Sequence, residues 1–255
     1  MKTRKGILFD LFGTLFCYGD PEKSWTDWVS SIHSSLMEHG LCTDLNELSG
    51  YFNNFFSIPP GSANSGYTKY ERRLSRVFTE LGFSAHESEM RRIANKSIKS
   101  WTATMSPEPG LKNILEILGS SASIALVSNF DHAPAVYDLL KTNGLLECFD
   151  VITVSGEIDI DKPDPRIFYH TLEKLKLNAD EVVHIGDTDA DIDGANAAGI
   201  IPVLIDRNFT DSLSGDYIKE RMSAQVKERK IPAGCRVIRS LSELPELDLG
   251  SSQSS

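Results

Sequence analysis

Asp10 is the residue around which chemistry can be built. It closes the apolar run Ile7-Leu8-Phe9 and is followed by Leu11-Phe12-Gly13-Thr14, so a carboxylate stands at the end of a predicted strand beside a turn. In an open α/β sheet, ligands bind beyond the carboxyl ends of the strands. An aspartate there can serve as a covalent nucleophile. Two residues on stands Phe12, where a second acid would be needed to protonate a leaving group.

Three more segments carry polar groups at predicted strand ends. Ser128-Asn129 follows the apolar run Ile124-Ala125-Leu126-Val127, and a hydroxyl and an amide so placed can hold a phosphoryl oxygen. On its own a Ser-Asn pair more often makes a turn. Lys162 precedes Pro163 and can bridge a nucleophile and a phosphate as a point charge. In isolation such a lysine is more often a solvated one before a helix N-terminus. Val183-His184-Ile185-Gly186-Asp187 ends a strand in an acid, and Asp191 follows near the start of the next helix. Carboxylates gathered with Asp10 repel one another unless a hard cation neutralises them. Magnesium suits one or two carboxylates plus phosphate oxygens and water. Asp189 and Asp193 are accounted for by the preference of a helix N-terminus for acids, and stay outside the candidate site.

The elements that must position these residues follow from periodicity. Strands are predicted over 6–9, 124–127, 151–154, 182–185 and 202–205, with a last edge strand over 236–238. Helices are predicted between them over 110–118, 132–143, 166–175 and 191–198. Such alternation gives an α/β fold, a Rossmann-like parallel sheet covered by helices. Between residues 17 and 105 the strand signal lapses and helical periods take over at 25–39, 45–56, 67–81 and 87–102. In the first of these Trp25, Trp28, Val29, Ile32, Leu36 and Met37 recur at three- and four-residue steps, one face of a helix. A crossover between parallel strands needs a dozen or so residues, so this stretch is an inserted all-helical subdomain. The expected organisation is a core of 1–16 and 106–249, a helical insert of 17–105 and a disordered tail over 250–255. The polar stretch 211–230 is predicted helical. Trp25, Trp28 and Phe56 read as packing residues.

Composition excludes several classes. The chain has 255 residues, 40% of them hydrophobic, and a formal net charge of −10. That balance argues against a nucleic-acid or anionic-membrane surface. No apolar stretch approaches membrane-spanning length, and the basic start runs into Asp10 too soon for a secretory signal. Four scattered cysteines, Cys17, Cys42, Cys148 and Cys235, make no metal-like spacing. They read as buried free thiols, which implies a reducing, cytoplasmic setting.

In this order, with each group at a strand end, the four segments resemble the motifs of the haloacid dehalogenase (HAD) superfamily of hydrolases. They are Asp10 with Gly13-Thr14, Ser128-Asn129, Lys162-Pro163, and Gly186-Asp187 with Asp191. The resemblance covers most of 6–16 and 106–205. The phrases Lys162-Pro163-Asp164-Pro165-Arg166-Ile167-Phe168 and Gly194-Ala195-Asn196-Ala197-Ala198-Gly199 are similar to the subfamily whose helical cap follows the first motif. The resemblance implies that Asp10 forms an aspartyl intermediate and Thr14 orients the loop around it. Ser128 and Lys162 then hold the substrate's oxygens, with Asn129 and Phe12 alongside. Magnesium is held by Asp10, Asp187 and the backbone carbonyl of Phe12, and Asp191 supports it directly or from behind.

The implied function is magnesium-dependent hydrolysis of a small phosphorylated metabolite. The departure is Phe12, because the family's phosphatases usually carry a second aspartate there. The 2-haloacid dehalogenases of the superfamily are similar in having an aromatic residue at this position and using no metal. Against that alternative, the Gly186-Asp187 tip is intact and no arginine occurs between Arg4 and Arg72. Arg72, Arg73 or Lys69 of the third insert helix could substitute for the early arginine of the dehalogenases, although such residues more often form a solvated helix face. A third alternative is a catalytically reduced relative that binds a ligand or a partner protein. Neither the substrate nor the oligomeric state is set by these motifs.

Overall fold

The structure, a computed structural model, describes residues 5–62, 66–207 and 235–246. The predicted helix over 211–230 and the predicted tail over 250–255 lie outside the described residues. By compactness the chain divides into two units, one of Met1–Tyr18, Ser106–Phe130 and Leu139–Ser255, the other of Gly19–Met105 and Asp131–Asp138.

The first unit is built on a six-stranded sheet. Its strands are β1 (Gly6–Phe9), β4 (Ser123–Ser128), β5 (Val151–Val154), β6 (Val182–Gly186), β7 (Ile201–Ile205) and β8 (Arg236–Ile238), in the order β5-β4-β1-β6-β7-β8. Every neighbouring pair is parallel. The central strands read as unbroken apolar runs because both faces of a parallel sheet are covered; all four residues of β1 are buried. The unit's helices are α5 (Leu111–Gly119), α7 (Ser155–Ile158), α8 (Arg166–Leu175) and α9 (Asp189–Ala197), while α6 (Ala133–Thr142) begins in the second unit and ends in the first. Ile167, Phe168 and Leu172 of α8 and Ala195 of α9 share one core cluster with Leu8, Val127 and Val182 of the sheet.

The second unit is helical, with α1 (Pro21–Glu38), α2 (Leu45–Tyr51), α3 (Lys69–Glu80) and α4 (Glu87–Thr102). α1 starts four residues before the predicted boundary, because Asp20 caps it through the N–H of Lys23 and Pro21 opens its first turn. Trp28, Val29, Ile32 and Leu36 are buried as the periodicity requires, whereas Met37 is 43% exposed. α2 is shorter than predicted. Asn54 takes a left-handed conformation and a separate 3-10 turn follows at Phe55–Ser57. Phe56 is not a core residue: it stacks on Trp28 yet remains 59% exposed.

Short elements escaped the periodicity. β2 (Phe16–Cys17) and β3 (Ser106–Pro107) form a two-residue antiparallel ladder, too short to show alternation. The cysteines are free, but none is fully buried and Cys42 is exposed, which corrects the reading of buried thiols. Among the described residues no helix is long and apolar enough to cross a membrane.

Candidate active site

The sheet order explains why residues far apart in sequence share one edge. β1 lies between β4 and β6, and the backbone N–H of Asp10 still bonds Ile185 O of β6 at 2.9 Å. Asp10 thus leaves the sheet level with Val127 on one side and Gly186 on the other. Past Gly186, Asp187 joins Asp10 and Asp191 in a cluster whose ligand oxygens lie within 4.8 Å of one another. Two glycines make this approach possible. A Cβ on Gly13, which has φ +87°, would fall 2.1 Å from Asp187 Oδ2, and one on Gly186 would fall 2.2 Å from the Asp191 carboxyl carbon. Thr14 Oγ1 reaches Asp187 Oδ1 at 3.4 Å, a long contact.

Lys162 is the hub. Its ammonium donates to Asp10 Oδ1 at 2.6 Å, to Asp191 Oδ1 at 2.6 Å and to Val127 O at 2.9 Å. A lysine has three protons to give, and all three have acceptors within the protein. Asn129 holds this lysine by its main chain, accepting from Lys162 N at 2.8 Å and donating to Lys162 O at 2.9 Å. The amide expected to face substrate is therefore engaged at both ends with Lys162. The Lys162–Pro163 peptide is cis.

Asp191 is equally committed. Oδ1 also accepts from His184 Nε2 at 2.9 Å. Oδ2 accepts from Thr188 N at 3.1 Å and Thr188 Oγ1 at 2.5 Å. The bond from Thr188 N, with the return bond from Asp191 N to Thr188 Oγ1 at 3.3 Å, forms the capping box that starts α9, two residues before the predicted start. Asp189 and Asp193 are exposed.

Burial and charge set the protonation of these groups. Burial pushes the Asp10 carboxyl up to about 6, against the opposing pull of Lys162. Burial also acts to raise Asp191, but Lys162 and His184 hold it well below the usual carboxylate range. Burial alone would lower Lys162, but the charges of Asp10 and Asp191 keep its ammonium firmly protonated. His184 is pushed down by burial and is neutral. Three carboxylates against one ammonium leave the cluster two negative charges in excess when all are ionised.

Ser128 Oγ is buried and makes no hydrogen bond among the described residues. A buried hydroxyl without a partner costs free energy, and the group stands at the C-terminal end of β4. Phe12 is 8% exposed and packs on Phe130, ring centroids 4.9 Å apart. Phe130 is fixed in turn by its N–H to Ser155 Oγ at 3.1 Å and by Gly156 N–H to its carbonyl at 3.1 Å.

Sequence reasoning missed several participants. His184 carried a signal, a histidine inside the apolar strand Val182-Val183-His184-Ile185. Its ring is fully buried and packs edge-on against Phe168, centroids 4.8 Å apart. Tyr18 carried none. Burial, then the charges of Asp187, Asp10 and Asp191, hold its phenol protonated, which places its hydroxyl in the field of the acid cluster. The substitutes proposed for a halide-binding arginine are otherwise engaged. Arg72 donates to Pro60 O and Tyr67 O, and Arg73 donates to Ile58 O and pairs with Asp131. Lys69 is 7% exposed.

A family model for haloacid dehalogenase-like hydrolases matches residues 4–199. A glyceraldehyde 3-phosphate phosphatase of Methanopyrus kandleri is 40% identical over 205 residues, 80% of this chain and 84% of the relative. Among solved structures, a HAD phosphatase from Thermococcus onnurineus superposes with a TM-score of 0.63 at 20% identity, covering 95% of this chain and 96% of the other. The L-2-haloacid dehalogenase of Xanthobacter autotrophicus superposes with the same TM-score of 0.63 at 18% identity, covering 98% and 100%. The fold is thus shared by phosphatases and dehalogenases alike and does not choose between them. The matched residues include all four strand-end segments, and the chain belongs to the haloacid dehalogenase-like hydrolases.

Proposed function

We propose that this hydrolase is a magnesium-dependent phosphatase of a small phosphorylated metabolite, working through an aspartyl intermediate on Asp10. The observation that carries this reading is the acid cluster. Asp10, Asp187 and Asp191 stand together with Lys162 as the cation at hydrogen-bond distance of Asp10 and Asp191. An all-oxygen donor set with excess negative charge fits a hard divalent ion, and a dehalogenase working without metal has no use for it. Every lone-pair direction of Asp191 is already taken, so the ion is assigned to Asp10, Asp187 and the carbonyl of Phe12, with Asp191 fixing Lys162 from behind. A bound magnesium supplies charge neutralisation for the nucleophile and the phosphoryl oxygens together.

The residues divide the remaining work. Asp10 Oδ1 is held by Lys162, which leaves Oδ2 to attack phosphorus in line. The bond from phosphorus to the leaving oxygen breaks as the Asp10–phosphorus bond forms. Ser128 Oγ donates to a phosphoryl oxygen, a role that gives the buried hydroxyl its missing partner. Lys162 offsets the charge at Asp10, and Asn129 keeps that lysine in place. Thr14 steadies Asp187. Water then attacks the aspartyl phosphate and releases Asp10 and inorganic phosphate. Phe12 gives and takes no proton in either half. The helical unit is assigned as the cap that selects the substrate. The relative of Methanopyrus kandleri is named for a three-carbon phosphate, and a ligand of that chemical class is the first to test.

The test is a screen of phosphate esters and 2-haloacids, with magnesium and with excess chelator, reading phosphate and halide separately. Phosphate release that needs magnesium supports the reading. Halide release in chelator overturns it.

A further inference from the structure

We propose that Arg207, oriented by Glu108, is a positioning residue that sets the nucleophile turn and through it the affinity of the metal site; this rests on the magnesium reading above. Arg207 lies just past the end of β7, and β6 separates that strand from β1. Its guanidinium nevertheless reaches over to the turn that follows Asp10. One nitrogen, Nη1, donates to Gly13 O, and the other, Nη2, donates to Thr14 O at 2.8 Å. Nη2 also meets Glu108 Oε2 at 2.7 Å.

Glu108 is 7% exposed and is itself fixed from several directions. Oε1 accepts from Ser240 Oγ at 2.8 Å and Leu241 N at 3.2 Å, and Oε2 from Cys17 Sγ at 3.6 Å. Its own N–H donates to Leu15 O at 2.9 Å. Three successive carbonyls of the turn, those of Gly13, Thr14 and Leu15, are therefore tied to one ion pair.

The turn is also where the metal site has least slack. The Gly13 Cα packs so closely on Asp187 that no Cβ fits, and Thr14 Oγ1 touches the same carboxylate. The Phe12 carbonyl assigned to the ion is the next one along. Displacing the turn by a few tenths of an ångström moves that carbonyl and the seat of Asp187 at once. A planar guanidinium fork can bond two adjacent carbonyls at fixed spacing, which an ammonium cannot. A largely buried ion pair is weak evidence for stability as such, so a geometric role accounts for it better. Groups that orient metal ligands typically change metal affinity by 10- to 100-fold when removed.

The test measures Mn²⁺ binding to the full chain by electron paramagnetic resonance, with thermal unfolding recorded alongside. The variants are Arg207→Lys and, in case that one folds poorly, Glu108→Gln, which keeps the shape and loses the charge. The expected result is a dissociation constant for Mn²⁺ raised by about 10-fold or more in folded Arg207→Lys and by a smaller factor in Glu108→Gln. Variants that unfold at lower temperature yet bind Mn²⁺ as tightly as the parent show a purely structural ion pair and overturn the inference alone. A parent chain that binds no Mn²⁺ overturns the metal reading and the inference together.

Discussion

Replacing Phe12 with aspartate tests the proposed chemistry most directly. Phe12→Asp puts a carboxyl group two residues after the nucleophile, at a side chain that is 8% exposed. As a proton donor and then a base, such a group typically contributes 10²- to 10⁴-fold. The lower end is expected here, because the surroundings of Phe12 are shaped for a ring. A factor of 10² corresponds to about 2.7 kcal/mol of barrier. The same change removes an aromatic pair whose centroids are 4.9 Å apart. Losing that pair and its packing costs about 3 kcal/mol of stability. A further carboxylate also joins Asp10 and Asp187, so the variant should gain more thermal stability from magnesium than the parent does.

The assay compares an alkyl phosphate such as glycerol phosphate with p-nitrophenyl phosphate at saturating magnesium. The phenolate leaves without a proton, so its first step should barely change, while the alkyl ester should speed up by about 10²-fold. The ratio of the two kcat/KM values is the readout, because partial unfolding cancels from it. In the parent, p-nitrophenyl phosphate should show a burst equal to the enzyme present and then a slow steady state, since no carboxylate activates the water that attacks phospho-Asp10. A folded, magnesium-loaded Phe12→Asp with an unchanged ratio would refute the reasoning.

Three further outcomes follow from the geometry. Asp187→Asn should weaken metal binding by at least roughly tenfold and nearly abolish phosphatase turnover, checked by Mn²⁺ titration and phosphate release; full activity of the parent in chelator would contradict it. The Asp10 carboxyl is raised to about 6 without metal and attacks only when ionised. Turnover should therefore fall as pH drops through an acid limb at or below about 6, and magnesium, by favouring the charged form, should move that limb to lower pH. His184→Leu removes the donor to Asp191 Oδ1 and leaves Lys162 as that oxygen's only remaining partner among the described contacts. It should lower kcat by about 10-fold, roughly a unit of 1.4 kcal/mol, with KM little changed, and His184→Gln should recover part of the loss.

Much of the site was legible because backbone rules and chemistry coincide at strand ends. The apolar run before Asp10 had to be a covered strand, and an acid after it had to emerge at the sheet edge. The same logic located Ser128 and Asp187. Periodicity fixed the helices wherever one face was buried throughout, as in α4 and α8. It failed where a cap or a left-handed residue set the boundary: Asp20 extended α1, Asn54 cut α2 short, and the Thr188–Asp191 box moved the start of α9. A cap acts through one or two hydrogen bonds and a left-handed residue through its own dihedral angles, and neither leaves a period.

What the sequence alone determined, then, is the kind of group that stands at each strand end. Only the tertiary structure decided which atoms those groups spend on one another. Asp10 and Lys162 are 152 residues apart, and Thr14 and Arg207 are 193 apart. No local pattern can show that Asn129 grips the Lys162 backbone, that all three lysine protons are taken, or that Asp191 has no oxygen to spare. These facts arise because parallel strands order the chain as β5-β4-β1-β6-β7-β8, placing neighbours in space without regard to neighbours in sequence. In a buried cluster the large majority of polar atoms take a partner, and the partners available are set by that order.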